Sequence, residues 1–169
     1  MRIIMQSFLV LVLVACVSFT AEAQFGYTNS QAILLEMPKV KSADAKLEAL
    51  QKQLQKKGQQ MLESYQAKGA DLQARYEKGE LSQVKADAEM KTLEAEKQKI
   101  MKYEVDMGNQ LASKREELIK PILEEVQAAI DKVAEEKGYQ YIFDTGSGVL
   151  LYAKPDDDIT PAVKAKLGM

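Results

Sequence analysis

This 169-residue chain has no histidine, no tryptophan and a single cysteine, Cys16. Without histidine it offers no imidazole base or nucleophile and no His-based zinc site. Cys16 lies inside an apolar leader, so the chain beyond it has no thiol and no disulfide framework to staple a small secreted fold. No Gly-rich loop ends in Lys-Ser or Lys-Thr, which excludes a P-loop. The formal net charge is −2, so there is no basic field of the kind that draws nucleic acid. Asp156-Asp157-Asp158 is an acidic cluster without the spacing or glycine of a calcium loop. Carboxylates just ahead of a helix start serve to cap it. No catalytic residue, metal ligand or cofactor is assigned, and the chain reads as a non-enzyme.

The first residues read as a signal peptide, 1–23. Arg2 supplies a positive start, 8–19 is an apolar run broken only by Ser18, and Ala21-Glu22-Ala23 is a small-x-small site with cleavage between Ala23 and Gln24. The run is too short to span a membrane comfortably. Leu13-Val14-Ala15-Cys16 resembles a lipoprotein box, but the apolar stretch continues past Cys16 to Phe19, which favours simple secretion. Removing the leader takes one basic and one acidic residue, Arg2 and Glu22, and leaves the net charge unchanged.

What the chain does have is length in its helices. Two polar runs, 38–78 and 82–120, flank the breaker Lys78-Gly79-Glu80-Leu81-Ser82. Gly79 suits the left-handed position that ends a helix, and Ser82 can cap the next. Pro38 and Pro121 mark the base of each run. At ~1.5 Å per residue each arm is roughly 60 Å long, more than a compact domain of this size needs, so the hairpin is expected to project. Apolar residues recur every eleven positions: Leu50, Met61 and Leu72, and Leu54, Tyr65 and Tyr76, in the first arm. The second arm has Ile100, Leu111, Ile122 and Val133, and Met107, Leu118 and Ala129. Eleven residues in three turns favours straight or slightly right-handed winding.

Folding about Gly79–Glu80 places Tyr76 opposite Val84, Leu72 opposite Ala88, Met61 opposite Ile100, Leu54 opposite Met107 and Leu50 opposite Leu111. Apolar meets apolar, which predicts one antiparallel coiled coil. Residues 38–82 carry a charge of +3 and 83–137 a charge of −3, so the arms attract modestly. Gly58, Gly69 and Gly108 sit inside the arms, each costing ~1 kcal/mol relative to Ala, and point to arms that bend.

The base is built from both ends, 24–37 and 121–169. Residues 25–28 read as a short strand and 30–36 as a helical turn. The helix pattern continues through Pro121 with Ile122, Val126, Ile130 and Val133 until Gly138. Residues 139–143 alternate as a strand, 145–148 turn, and 149–153 return as a further strand. Thr160-Pro161 opens a last short helix. About sixty residues without disulfide or metal make a marginal core. Tyr139, Tyr141 and Phe143 form an aromatic face, and Ile142 with the run containing Leu151 gives a second. Covering both calls for oligomerisation through the base. The fold class is mainly α with a small β-body (α+β), a long antiparallel coiled-coil hairpin projecting from a small oligomerising sheet domain. The domains are 1–23 as leader, 24–37 with 121–169 as body, and 38–120 as arm.

The chain resembles the Skp/OmpH family of periplasmic chaperones over nearly all of its mature length. The resemblance rests on Phe25-Gly26-Tyr27-Thr28-Asn29-Ser30, Met37-Pro38 and Pro121-Ile122. Its most specific part is the C-terminal signature: Lys137-Gly138-Tyr139, Ile142-Phe143-Asp144, Val149-Leu150-Leu151-Tyr152-Ala153 and Asp158-Ile159-Thr160 with Val163 and Leu167. It implies a periplasmic homotrimer whose hairpins surround a cavity that holds unfolded outer-membrane proteins without ATP until they reach the insertion machinery. Familiar enterobacterial members are strongly basic and this chain is slightly acidic, so no lipopolysaccharide or anionic-lipid site is carried over.

Such a holdase needs a broad, weakly apolar surface. Met61, Tyr76 and Met107 are assigned to the seam. Met90, Met101 and Tyr103 fall off the proposed seam and are the candidate client contacts. The alternative is a structural spacer or tether of the cell envelope, as a lipoprotein if Cys16 is retained.

Overall fold

The computed structural model describes residues 24–169. The leader, with its lipoprotein alternative at Cys16 and its cleavage position after Ala23, lies outside the described residues. The elements run β1 (Phe25–Thr28), α1 (Ser30–Glu36), α2 (Pro38–Glu77), α3 (Gln83–Lys137), β2 (Tyr141–Asp144), two 3-10 turns (Thr145–Ser147 and Pro155–Asp157) and α4 (Thr160–Lys166). They group into two compact units, one of 24–30 with 129–168 and one of 31–128.

The first unit holds a two-stranded parallel sheet, in which Phe25 pairs with Tyr141 and Thr28 with Asp144. Parallel strands need a long crossover, and these two come from opposite ends of the described chain. A single bridge extends the pairing on the other side of β1, Tyr27 to Asp158, where the Ile159 amide donates to the Tyr27 carbonyl at 2.9 Å. The core is small: Val133, Ile159 and Val163 are at most 1% exposed, with Ala129 beside them in burial. Thr28 is buried too, and its hydroxyl shares a 3.1 Å hydrogen bond with that of Thr160, so the one polar side chain of this core is satisfied.

The expected return strand over 149–153 does not form. The Asp144 carboxylate accepts the Gly146 N–H at 2.9 Å, the Ser147 hydroxyl donates to the Asp144 carbonyl, and Gly148 turns left-handed at φ 70°. This is a 3-10 turn rather than the tight two-residue reversal that lays a second strand against the first. Leu151, at 97% exposed, stands out from the chain with Val149 and Tyr152.

In the second unit, Met37 separates α1 from α2 in the extended conformation that a following proline imposes. The α2 helix ends at the tip in a Schellman motif. The Glu80 amide donates to the Arg75 carbonyl, the Gly79 amide to that of Tyr76, and Gly79 takes φ 73°. The Ser82 carbonyl then accepts from Lys85 and Ala86 and starts α3, which runs through Pro121 without interruption. Cross-arm partners rise in number on one arm as they fall on the other: Lys39 with Glu125, Lys68 with Glu96, Arg75 with Glu89. The arms are antiparallel. The eleven-residue repeat is the seam itself, since Leu50, Met61, Ile100, Leu111, Met107 and Leu118 are half-buried while Leu72 and Ile122 are buried. Near the tip the expected pairing shifts. Ala86 is buried, whereas Ala88 is exposed and Val84 is 79% exposed. Tyr76 is about half exposed, its hydroxyl donating to Gln83 at 2.8 Å.

Candidate functional site

Two surfaces carry exposed apolar side chains, one in each unit. In the first unit the ring of Phe25 stacks on Tyr141 at 5.7 Å and on Phe143 at 6.3 Å. The strand register produces this group, because Phe25 pairs with Tyr141 and residues two apart share a face. All three rings remain largely exposed, Tyr141 most of all. The expected face of Tyr139, Tyr141 and Phe143 is corrected at one position. Tyr139 precedes the strand, its amide donating to the Ala134 carbonyl after the left-handed Gly138. Its ring and the Ile159 side chain both lie 3.2 Å from where a Gly26 Cβ would stand. Gly26 alternates with Phe25, so this is the opposite face, and any side chain at 26 would displace a ring that the small core needs. Phe25, which opens the strand, takes the place assigned to Tyr139.

Asp144 fastens this unit. Its carboxylate receives the Ser30 hydroxyl, the Ser30 amide at 3.2 Å and the Gly146 amide. Burial pushes its proton affinity up, but the bonds from the Ser30 hydroxyl and the two amides outweigh burial and hold the carboxyl below its ordinary value. Tyr27 moves the other way: burial, then the charges of Asp158 and Asp157, raise its phenol.

The hairpin of the second unit has two unlike sides. Ala67, Lys68, Asp71, Arg75, Glu89, Thr92 and Glu96 line one groove, and Tyr65, Gly69, Gln73, Tyr76, Gln83, Ala86, Asp87 and Met90 line another. Leu72 and Leu93 belong to both, so the seam divides them. The first side is ionic. Lys68 pairs with Glu96, and Arg75 spans Asp71 and Glu89. The hydrogen bond that the Arg75 guanidinium donates to Glu89 raises it above its usual value although burial opposes it. The second groove has one charged lining residue, Asp87. Met90 and Met101 are 62% and 52% exposed, and the line continues at eleven-residue intervals through Ala112 to Leu123, both exposed. This row was readable in the sequence by extending the repeat beyond the seam.

Met90 and Met101 thus lie off the seam, as their positions predict, but Tyr103 does not. Its ring sits 3.4 Å from where a Gly58 Cβ would be, and its hydroxyl donates to the Leu54 carbonyl at 3.0 Å. Lys57 Nζ lies 5.1 Å from the ring centroid. The ring packs over Gly58 at ordinary van der Waals distance while the hydroxyl reaches the backbone of the opposite arm. Tyr103 is a cross-arm brace, half-buried in the seam.

Among the described residues no group of His, Cys, Asp and Glu is arranged to hold a metal ion, and no helix is long and apolar enough to cross a membrane. A crystal structure of a candidate OmpH-like outer membrane chaperone from Caulobacter crescentus CB15 has the same fold. The TM-score is 0.74 and the identity 18%, over 87% of this chain and 85% of that one. No curated protein matches the chain. The model of the OmpH-like outer membrane protein family matches residues 24–167, nearly the whole described length, and the chain belongs to that family.

Proposed function

We propose that this protein is an ATP-independent periplasmic holdase that binds unfolded outer-membrane proteins between its helical arms and keeps them from aggregating. The observation that carries the reading is the pair of unlike grooves near the hairpin tip: one is lined by ion pairs, and the other has Asp87 as its one charged lining residue and includes the exposed Met90. Methionine side chains are flexible and polarisable, so such a groove can meet many sequences weakly and release them without energy input. The stacked, exposed Phe25, Tyr141 and Phe143, together with Leu151, suit a body (24–37 and 121–169) that joins three copies, with 38–120 as the arm. In this reading the chain has no catalytic residue or cofactor, does not bind nucleic acid, and leaves lipopolysaccharide and anionic lipid unbound.

An unfolded β-barrel protein diluted from urea tests this by light scattering, with sedimentation reading the number of chains. The full-length protein should suppress scattering without nucleotide, saturating near one client per three chains. A variant lacking 51–111 loses matched lengths of both arms, and it should remain a three-chain body yet give no protection. No suppression by excess full-length protein would favour an envelope spacer or tether, which uses the same hairpin without client binding.

A further inference from the structure

The two grooves near the hairpin tip differ in size as well as in charge. Near the tip, Tyr65, Gly69, Tyr76, Ala86, Met90 and Leu93 bound a groove of about 550 Å³, against about 380 Å³ on the ionic side. Its floor is open because of Gly69: no atom lies within 4 Å of where a Cβ there would stand. Several polar groups at its rim are already engaged. Tyr76 donates to Gln83, the Gln83 amide donates to Asp87 at 3.0 Å, and the Gln73 amide donates to Glu77 at 2.9 Å. An incoming group therefore finds apolar surface with few free donors or acceptors, and no cation lines the groove.

We propose that this groove is a docking subsite for one aromatic or branched aliphatic side chain carried by an extended, uncharged segment of unfolded polypeptide, an assignment that rests on the holdase reading. Charge decides the occupant. A lipid headgroup or a nucleic acid would bring phosphate to a site whose one lining carboxylate, Asp87, repels it. An apolar side chain gains from burial, and the two tyrosine rings offer faces to stack on. Beyond the groove α3 exposes Met101, Ala112 and Leu123, with the Glu94–Lys97 ion pair between Met90 and Met101.

The probe is a fluorescent ten-residue peptide alternating Tyr, Val and Leu with Ser and Gln, added to the full-length protein. Gly69→Leu fills the floor and also replaces glycine in a helix interior by a better helix former. It should keep or raise Tm while weakening the peptide about tenfold or more, as expected for losing the burial of one large side chain. Met90→Asp should weaken it comparably. Ser64→Asp makes the same charge change beside Lys57 and Lys68 on the other side and should leave affinity within about twofold. Unchanged binding in Gly69→Leu and Met90→Asp, with the parent still suppressing aggregation, would overturn the subsite and leave the holdase reading intact. A parent that neither binds peptide nor suppresses aggregation would overturn both. A fall in sedimenting mass in the groove variants would overturn the peptide assignment in favour of a second copy's arm.

Discussion

The two units of this molecule are held by opposite strategies. In the sheet-containing unit the decisive bonds join residues far apart in the chain, Ser30 to Asp144 and Thr28 to Thr160, separated by 114 and 132 positions. In the hairpin much of the bonding is local: Lys52 to Glu48, Gln59 to Glu63 and Gln98 to Glu94 are all one turn apart. The cross-arm contacts repeat level by level along the seam. A small core made of distant residues fails as a whole when one member is lost. A repeated seam fails one level at a time. Loss of one seam level should therefore leave the rest of the hairpin in place.

The largest expected effect sets the two units directly against each other. Ile159→Ala removes a fully buried side chain from the body and should cost about 3–4 kcal/mol, within the range for large-to-small core changes. Leu54→Ala in the seam should cost about 2 kcal/mol, because two helices held by thin packing can close over the gap. Denaturant unfolding gives the totals, and hydrogen exchange gives their reach. Exchange should rise throughout the body for the first variant and only within a few turns of residue 54 for the second. Equal reach would erase the contrast.

A smaller effect tests the fastening of the body. The bonds to Asp144 keep its folded-state carboxyl below the unfolded value. Its contribution is therefore fully present above the ordinary carboxylate range, about pH 4, and is lost as pH falls through the lowered folded value. Asp144 is solvent-exposed, so Asp144→Asn should cost only about 1 kcal/mol at pH 7. The gap between parent and variant should narrow on acidification toward pH 3. A gap that stays constant with pH would mean that shape rather than charge holds this turn.

The smallest effect belongs to the arms. Tyr103→Phe keeps the ring over Gly58 and deletes the bond to the Leu54 carbonyl, a change of about 0.5–1 kcal/mol. That carbonyl is also the helical acceptor for the Gly58 amide. Exchange at Gly58 should quicken a few-fold with client protection unchanged. Weakened protection with unchanged exchange would return Tyr103 to the client surface.

The hairpin was the more legible unit because its information is periodic. Eleven-residue spacing, a glycine at the turn and opposite charge on the arms are all local patterns, and each corresponds to a feature of the fold. Where reading failed, a distant contact or a turn outside the repeat had overruled the pattern. Tyr103 lies off an idealised seam, but its hydroxyl bonds the Leu54 carbonyl of the opposite arm and its ring packs over Gly58. Val84 fits a pairing rule, but the tip geometry seats Ala86 instead. Tyr139 has the parity of a strand residue, but Gly138 ends the helix so close to it that β2 begins only at Tyr141.

By itself the sequence determined the two long helices, the break at Gly79, the seam period, the passage of α3 through Pro121 and membership of a helical-hairpin family. These follow from propensity, capping and the repeat of apolar side chains, which act over a turn or two. Only the tertiary structure decided that β1 and β2 pair in parallel with no return strand, that Phe25 rather than Tyr139 completes the aromatic stack, and that the two grooves near the hairpin tip differ in charge. Each of those outcomes depends on which distant backbone arrives beside a residue. A strand's partner, or the face of a helix that a neighbour leaves open, is a property of the pair and is written in neither segment alone.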